Sequence, residues 1–329
     1  MNGGRRNERG WRAWRRRLRR RFKHRPGFVP WLLSRPALFL LALASRLPFA
    51  RTAAAADRLA RLAWFLPRRR ALGRLHLERA LPERSPAERD RILRRSLGSL
   101  GRSAAEAMVL SRRRDALDYL RERLDFEPGA EEILRRLARG PAVVVEGHLG
   151  AFEFLPPALH LLGLRVMLPM RRPNNHYLAR DLERLRNAHG LAVVPRQGAL
   201  LRLMRHLHSG GTVVLIADQN AHHQPLFADW FGVPAAAERA PAALALRTGA
   251  PLLVSWCLRR PGGRFLVGVR EIRGAEAPGR EGEEALREWT GRIHRALEDV
   301  IRRHPEQYLW IHDRYRTRPP EEVSGALPR

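Results

Sequence analysis

The sequence predicts an α/β sandwich preceded by a helical N-terminal region. Two observations predict it. Residues 52–126 carry helical patterning throughout, and from residue 128 onward short apolar runs alternate with helical periodicity. Several of those apolar runs also end in residues able to carry chemistry, His148 and Asp218 foremost. A chain of 329 residues that is 44% hydrophobic has enough apolar material for one large core.

The elements follow in order. Residues 1–25 are dense in arginine, with Trp11, Trp14 and Phe22 interleaved, as in a disordered arm or a basic amphipathic helix on anionic lipid. An apolar stretch runs over 28–50, with Arg35 and Arg46 flanking its uninterrupted core. That core falls short of the roughly 20 residues a clean span needs, so a marginal span or a monotopic anchor, with snorkelling arginines, is expected. A signal peptide has the same basic-then-apolar order, but Arg46 and the lack of a small-x-small site argue against it. Ser85-Pro86-Ala87-Glu88 is a capping box with proline at the first helical position. The helix beyond it sets Ile92, Leu93, Leu97 and Leu100 on one side.

Further on, helices are expected over 131–139, 154–162, 177–188, 199–208 and 286–302, and strands over 142–145, 165–170, 212–217, 251–258 and 264–269. The run Tyr308-Leu309-Trp310-Ile311-His312 alternates like a strand packing a sheet edge. The last dozen residues read as a loose tail. The chain thus divides into a basic, apolar anchoring segment (1–50), a folded body (51–316) and a tail (317–329).

The net charge is +29, nearly all of the positive residues being arginine. Such a field favours polyanions: nucleic acid, anionic head groups or an acidic carrier protein. No helix-turn-helix, RNA-binding or zinc signature accompanies the charge, so nucleic acid is not the expected partner. Cys257 is the single cysteine, which rules out an intrachain disulfide and fits a reducing, cytosol-facing setting. It lies in an apolar run and reads as a core residue. No Gly-rich phosphate loop, nucleotide fingerprint or serine elbow is present. The pair His222-His223 makes a poor metal set.

The most informative stretch is Pro141 to Glu153. A β-branched run ends at Gly147, His148 sits at the break, and Glu153 follows five residues later. A carboxylate that takes the Nδ1 proton of a histidine fixes its tautomer and leaves Nε2 to accept a proton from a hydroxyl. That arrangement suits acyl transfer to an alcohol without a protein nucleophile, with His148 as base and Glu153 as orienter. Arg172 and Asn174 follow another strand, where a guanidinium could bind phosphate or stabilise an oxyanion. Asp218 closes a third, as expected of a site along the carboxyl ends of parallel strands, although a turn-capping role fits equally well.

Taken in order, these segments resemble the bacterial lipid A late acyltransferases, the lauroyl and myristoyl transferase family of the glycerolipid acyltransferase-like superfamily. The resemblance rests on Arg68 to Arg102, on Gly147-His148-Leu149-Gly150-Ala151-Phe152-Glu153, on Arg172-Pro173-Asn174 and on Asp218-Gln219-Asn220. It continues through Trp230-Phe231-Gly232-Val233-Pro234-Ala235, Thr248 to Pro251 and His304 to Tyr315, covering roughly residues 30–316. It departs at His76, where asparagine is usual, and within Ala236 to Pro241.

The resemblance implies an acyltransferase-type α/β sandwich with a central mixed sheet. It implies transfer of a fatty acyl chain from acyl carrier protein to a hydroxyl of a lipid A precursor, at the inner face of a bacterial cytoplasmic membrane. His148 and Glu153 would be catalytic, and Arg172, Asp218, Gly150 and Asn174 would contact or position substrate. Donors for the oxyanion would be backbone N–H groups near Gly147–Gly150, or Arg172. No metal or organic cofactor is implied, the acyl thioester being a co-substrate. Anionic membrane lipid and the glycolipid acceptor would be the other partners. An acyl-CoA-dependent transferase acting on a phosphatidylinositol mannoside is the alternative with the same chemistry.

Overall fold

A computed structural model of the chain describes residues 26–44, 46–110, 112, 115–170, 174–180, 190–273 and 282–320. The basic arm, Arg172 and most of the helix expected over 177–188 lie outside them.

The N-terminal region is helical, as the pattern predicts. Helix α1 (Phe28–Ala44) contains Pro36 and leaves Phe28, Leu32, Leu33, Phe39 and Leu43 exposed. No helix among the described residues is long and apolar enough to cross a membrane. Helix α2 (Phe49–Arg61) runs into a 3-10 turn (Leu62–Phe65) and then α3 (Pro67–Ala80). Phe49 packs its ring on Tyr119 and Phe154, so the body of the fold already begins there.

Helix α4 (Pro86–Leu110) starts at the expected capping box: Glu88 N–H donates to Ser85 Oγ at 3.3 Å, and Ser85 N–H returns a bond to the Glu88 carboxylate at 2.9 Å. Helices α2 and α4 touch backbone to backbone. A Cβ on Gly101 would overlap the Ala56 carbonyl, and one on Gly98 would overlap the Asp57 carboxylate. Asp57 is buried there between Arg61 at 2.7 Å and Arg102 at 3.1 Å.

The helical reading of 52–126 does not hold to its end. After α5 (Ala116–Arg121) comes a short edge strand, β1 (Leu124–Phe126), formed because it pairs in parallel with a strand near residue 265. The remaining order is α6 (Ala130–Leu137), β2 (Ala142–Glu146), α7 (Leu155–Leu161), β3 (Val166–Met170), β4 (Ala192–Pro195), α8 (Leu200–His208) and β5 (Thr212–Ile216). Then come β6 (Leu226–Trp230), β7 (Val233–Ala237), α9 (Ala240–Thr248), β8 (Leu252–Arg260), β9 (Arg264–Ile272) and α10 (Glu283–Arg303).

Seven strands form one mixed sheet in the order β1-β9-β8-β2-β5-β3-β4. All neighbours are parallel except β8 and β9, which form an antiparallel hairpin. Strand β2 sits at the centre with all five residues buried, which explains its unbroken apolar run. One core cluster lies under α3, α4 and α10 on one side, and the other gathers α5, α6 and α7 on the opposite side.

Three features depart from the sequence reading. Strand β4 was not expected; it is a half-buried edge. Strands β6 and β7 form a separate antiparallel hairpin, turning at Phe231 and Gly232 with φ of 49° and 73°. Its turn is held on α10 by a bond from Phe231 N–H to the buried Glu298 carboxylate at 2.7 Å. Residues 308–314 do not form the expected strand. Tyr308 makes a single bridge to Leu149, and the chain then turns across the carboxyl edge of the sheet. The tail is docked further than expected, since Thr317 N–H donates to Asn220 Oδ1 at 3.0 Å.

Gly150 is where the loop after β2 meets this frame. Its φ is 62°, its N–H donates to Gln307 O at 3.0 Å, and a Cβ would overlap the Cys257 carbonyl. Gly150→Ala should therefore cost at least about 1–3 kcal/mol for the backbone conformation alone. Denaturant unfolding of the variant measures it.

Candidate active site

The site follows from the pairing of two central strands. Strands β2 and β5 run parallel with Glu146 opposite Ile216. His148 and Asp218 each lie two residues beyond that pair and so leave the sheet side by side. Asp218 accepts from the His148 backbone N–H through Oδ2 and meets Nδ1 through Oδ1, both at 2.7 Å. A carboxylate can only accept, so Nδ1 carries the proton and Nε2 of the neutral ring holds the lone pair.

The surroundings fix both groups. The Asp218 side chain is about 1% exposed and that of His148 16%, so the base keeps an edge open. The Phe152 ring meets the imidazole edge-on at 4.9 Å. Burial alone would raise the pKa of Asp218, but the His148 charge and its two hydrogen bonds hold it below the ordinary carboxylate range. Burial alone would lower that of His148; the Asp218 carboxylate, with Glu153 adding to it, raises it above 6.5. Burial, with the Asp218 charge nearby, keeps the Tyr308 hydroxyl protonated far above its usual range.

The C-terminal segment clamps the residues after β5 one by one. Arg314, 2% exposed, donates from Nη1 to the Gln219 carbonyl at 3.1 Å and to the Ala236 carbonyl. Its Nη2 donates to His294 Nε2 at 3.2 Å. Burial, with the Arg314 charge beside it, pushes His294 down to about 3, so that ring is neutral and able to accept. Asn220 N–H donates to His312 Nε2 at 3.1 Å. Leu309 N–H bonds the His148 carbonyl at 3.2 Å, tying the same segment to β2.

Beneath Gly150 lies a buried ion pair. Arg259 reaches both oxygens of Glu106 at 2.6 Å and also bonds Ser99 and Ser103, while Ser103 Oγ donates to the Gly150 carbonyl at 3.0 Å. The loop carrying His148 is thus fixed from α4, β8 and the C-terminal segment together.

The structure brings His148, Gly150 and Asp218 together. It differs from the spacing argument in one respect: the partner of Nδ1 is Asp218. Glu153 lies in the 3-10 turn Phe152–Phe154 and acts on the ring through its charge. The reason is topological, because a residue 70 positions away is nearer than one five positions away once β2 and β5 pair. Most of the main-chain donors expected for an oxyanion are already engaged, Gly147 excepted. The N–H groups of His148, Leu149, Gly150 and Ala151 bond Asp218, Gly147, Gln307 and Cys257 respectively.

Asn174 is exposed in the turn after β3, while its neighbour Asn175 caps the helical residues 176–180 and donates to the Pro30 carbonyl at 2.7 Å. Strand β3 ends at the same sheet edge, but Arg172 itself lies outside the described residues. Cys257 is buried, and burial pushes its thiol pKa up, as a core residue requires. Gln219, Tyr308, Arg314 and His294 were not picked out as site residues. Only the polar ends of the apolar runs at 212–217 and 308–314 hinted at them. Among the described residues no cluster of His, Cys, Asp and Glu could hold a metal ion.

A model of the family described as bacterial lipid A biosynthesis acyltransferase matches residues 19–317. The chain is similar to a lipid A biosynthesis palmitoleoyltransferase of Escherichia coli, 29% identical over 267 residues that cover 79% of this chain and 83% of that one. A lipid A biosynthesis acyltransferase of Shigella flexneri is similar to the same extent, 29% over 267 residues with the same coverage.

Because the Asp218 carboxylate favours the imidazolium, Asp218→Asn removes that support and the ring should lose its proton at lower pH than in the parent. Titrating the His148 ring by NMR in both proteins checks the direction. A ring titrating at or above the parent value would show that Asp218 does not set it.

Proposed function

The chain belongs to the bacterial lipid A biosynthesis acyltransferases, and from that premise we propose that it moves a fatty acyl group from acyl carrier protein to a hydroxyl of a lipid A precursor at the inner face of the cytoplasmic membrane. The observation that carries this reading is the His148 Nδ1–Asp218 bond, which leaves Nε2 as the accepting nitrogen of a ring 16% exposed. Nε2 takes the proton of the acceptor hydroxyl as its oxygen bonds to the thioester carbonyl carbon. The tetrahedral intermediate then collapses, the C–S bond breaks, and the imidazolium returns the proton to the departing thiolate.

Asp218 stays ionised throughout and steadies the imidazolium, with Glu153 adding negative charge from the adjacent turn. The thioester is already activated, and this route draws on no metal or cofactor. Arg172, two residues past the end of β3 in the sequence, and Asn174 are proposed to position the acceptor.

Membrane attachment is proposed to be peripheral. It is supported by the exposed Leu32, Leu33 and Phe39 of α1 and by Leu59, Leu62, Phe65 and Leu66, which lie exposed around the end of α2. The arginines of residues 1–25 would add attraction to anionic lipid, worth about 1 kcal/mol each near the surface. The same positive field would steer an acidic carrier protein.

Four outcomes test the reading. His148→Ala should lower turnover about 10²–10⁴-fold in a folded protein, and Glu153→Gln should cost less than Asp218→Asn; near-normal turnover of His148→Ala sinks the mechanism. The base must be neutral, and the Asp218 carboxylate holds its pKa above the ordinary histidine range, so kcat/KM should fall as pH drops through that raised value. Leu32→Glu, Leu33→Glu and Phe39→Glu together should move the protein from the membrane to the soluble fraction. On the donor side, acyl carrier protein should be preferred over acyl-CoA at low salt and lose that preference at high salt. Equal or better use of acyl-CoA would favour the mannoside-type alternative.

A further inference from the structure

We infer that Gln219 is the oxyanion donor of the transfer step. Its carboxamide rests on the His148 ring in the free enzyme and passes to the tetrahedral oxygen when the acceptor hydroxyl takes its place. The inference rests on the reading of His148 as the base.

The argument starts at the ring. Nδ1 carries a proton for Asp218, so Nε2 of the neutral ring is an acceptor, and the Gln219 amide nitrogen lies 3.2 Å from it. In the free enzyme that amide therefore donates to the lone pair the base needs. A hydroxyl about to lose its proton to Nε2 must occupy the same position, at about 2.6–3.2 Å. Binding the acceptor displaces the amide by about one hydrogen-bond length and leaves its N–H groups beside the carbon under attack.

The main-chain N–H groups from the base onward in its own loop are already taken. The four N–H groups from His148 to Ala151 are committed to Asp218, Gly147, Gln307 and Cys257. The neighbourhood is also anionic, with the Asp218 carboxylate and the Glu153 charge both acting on the ring. Negative charge developing on a thioester oxygen here needs a donor aimed at it.

Gln219 is built to move only at its end. Its carbonyl is held by Arg314, Asp218 before it is tied to His148, and Asn220 after it is tied to His312 and Thr317. The backbone is fixed at three consecutive residues and the side chain is half-buried. The electron flow balances. The hydroxyl oxygen forms the new C–O bond and the carbonyl π pair moves onto oxygen, which accepts from Gln219. The hydroxyl proton goes to Nε2. The pair then returns, the C–S bond breaks, and the thiolate takes that proton.

The test is steady-state kinetics of Gln219→Ala, Gln219→Glu and His148→Ala with acyl-charged carrier protein and an under-acylated lipid A precursor in detergent. Gln219→Ala should lose about 10²–10³-fold in kcat with acceptor KM little changed. Gln219→Glu, of the same size, should be no better, since a carboxylate repels the oxyanion. It carries the test if the alanine variant fails to fold. Parent-like or faster kcat in either Gln219 variant overturns the inference, because the amide would then only cover Nε2. That result with His148→Ala inactive refutes Gln219 alone, whereas turnover by His148→Ala refutes the base itself.

Discussion

The structure depends on the in-register pairing of β2 with β5. Nine of the ten residues that form that pair at the centre of the sheet are β-branched or aliphatic, Glu146 being the exception. Its consequence lies two residues beyond its end, where an imidazole and a carboxylate meet at 2.7 Å with the carboxylate almost wholly buried. A buried carboxylate is costly unless fully bonded. Asp218 takes one bond on each oxygen, from the backbone and from the ring of His148. The same bonds that make burial tolerable fix the tautomer that leaves Nε2 available.

The second dependence is on the segment that follows α10. It makes almost no regular structure, yet it bonds His148, Gly150, Gln219 and Asn220 in turn. Arg314 is the centre of this clamp. Its guanidinium is buried against carbonyls, a neutral histidine and the Trp230 ring, 5.4 Å away. Its charge adds to the His148 charge and hydrogen bonds that hold the Asp218 carboxylate ionised. The β6–β7 hairpin is drawn in as well, through the Ala236 carbonyl and through Asp229, whose carbonyl accepts from His294 at 2.7 Å.

Much of this was legible in the sequence, and the rest was hidden for physical reasons. The strands 142–145, 212–217 and 251–258 announced themselves because both faces are buried, and the capping box at Ser85 marks a helix start that the structure keeps. His148 and Asp218 stood out because polar residues close apolar runs. Their partnership did not, since sequence spacing favours Glu153, and only strand order brings residue 218 to residue 148. Strand β1 was hidden in a helical stretch because three residues pair only with a strand near residue 265. The aromatic alternation of 308–312 looked like a strand, but its side chains pack around the turn: Tyr308 on Trp310, and Trp310 on Phe231.

The central claim is that Asp218 holds His148 with its proton on Nδ1 and its lone pair on Nε2. The nitrogen-15 chemical shifts of the His148 ring, read above its pKa and assigned by difference from His148→Ala, test it most directly. A protonated Nδ1 and an unprotonated Nε2 are expected. A neutral ring with its proton on Nε2 would contradict the account, because that nitrogen could then accept nothing from a hydroxyl.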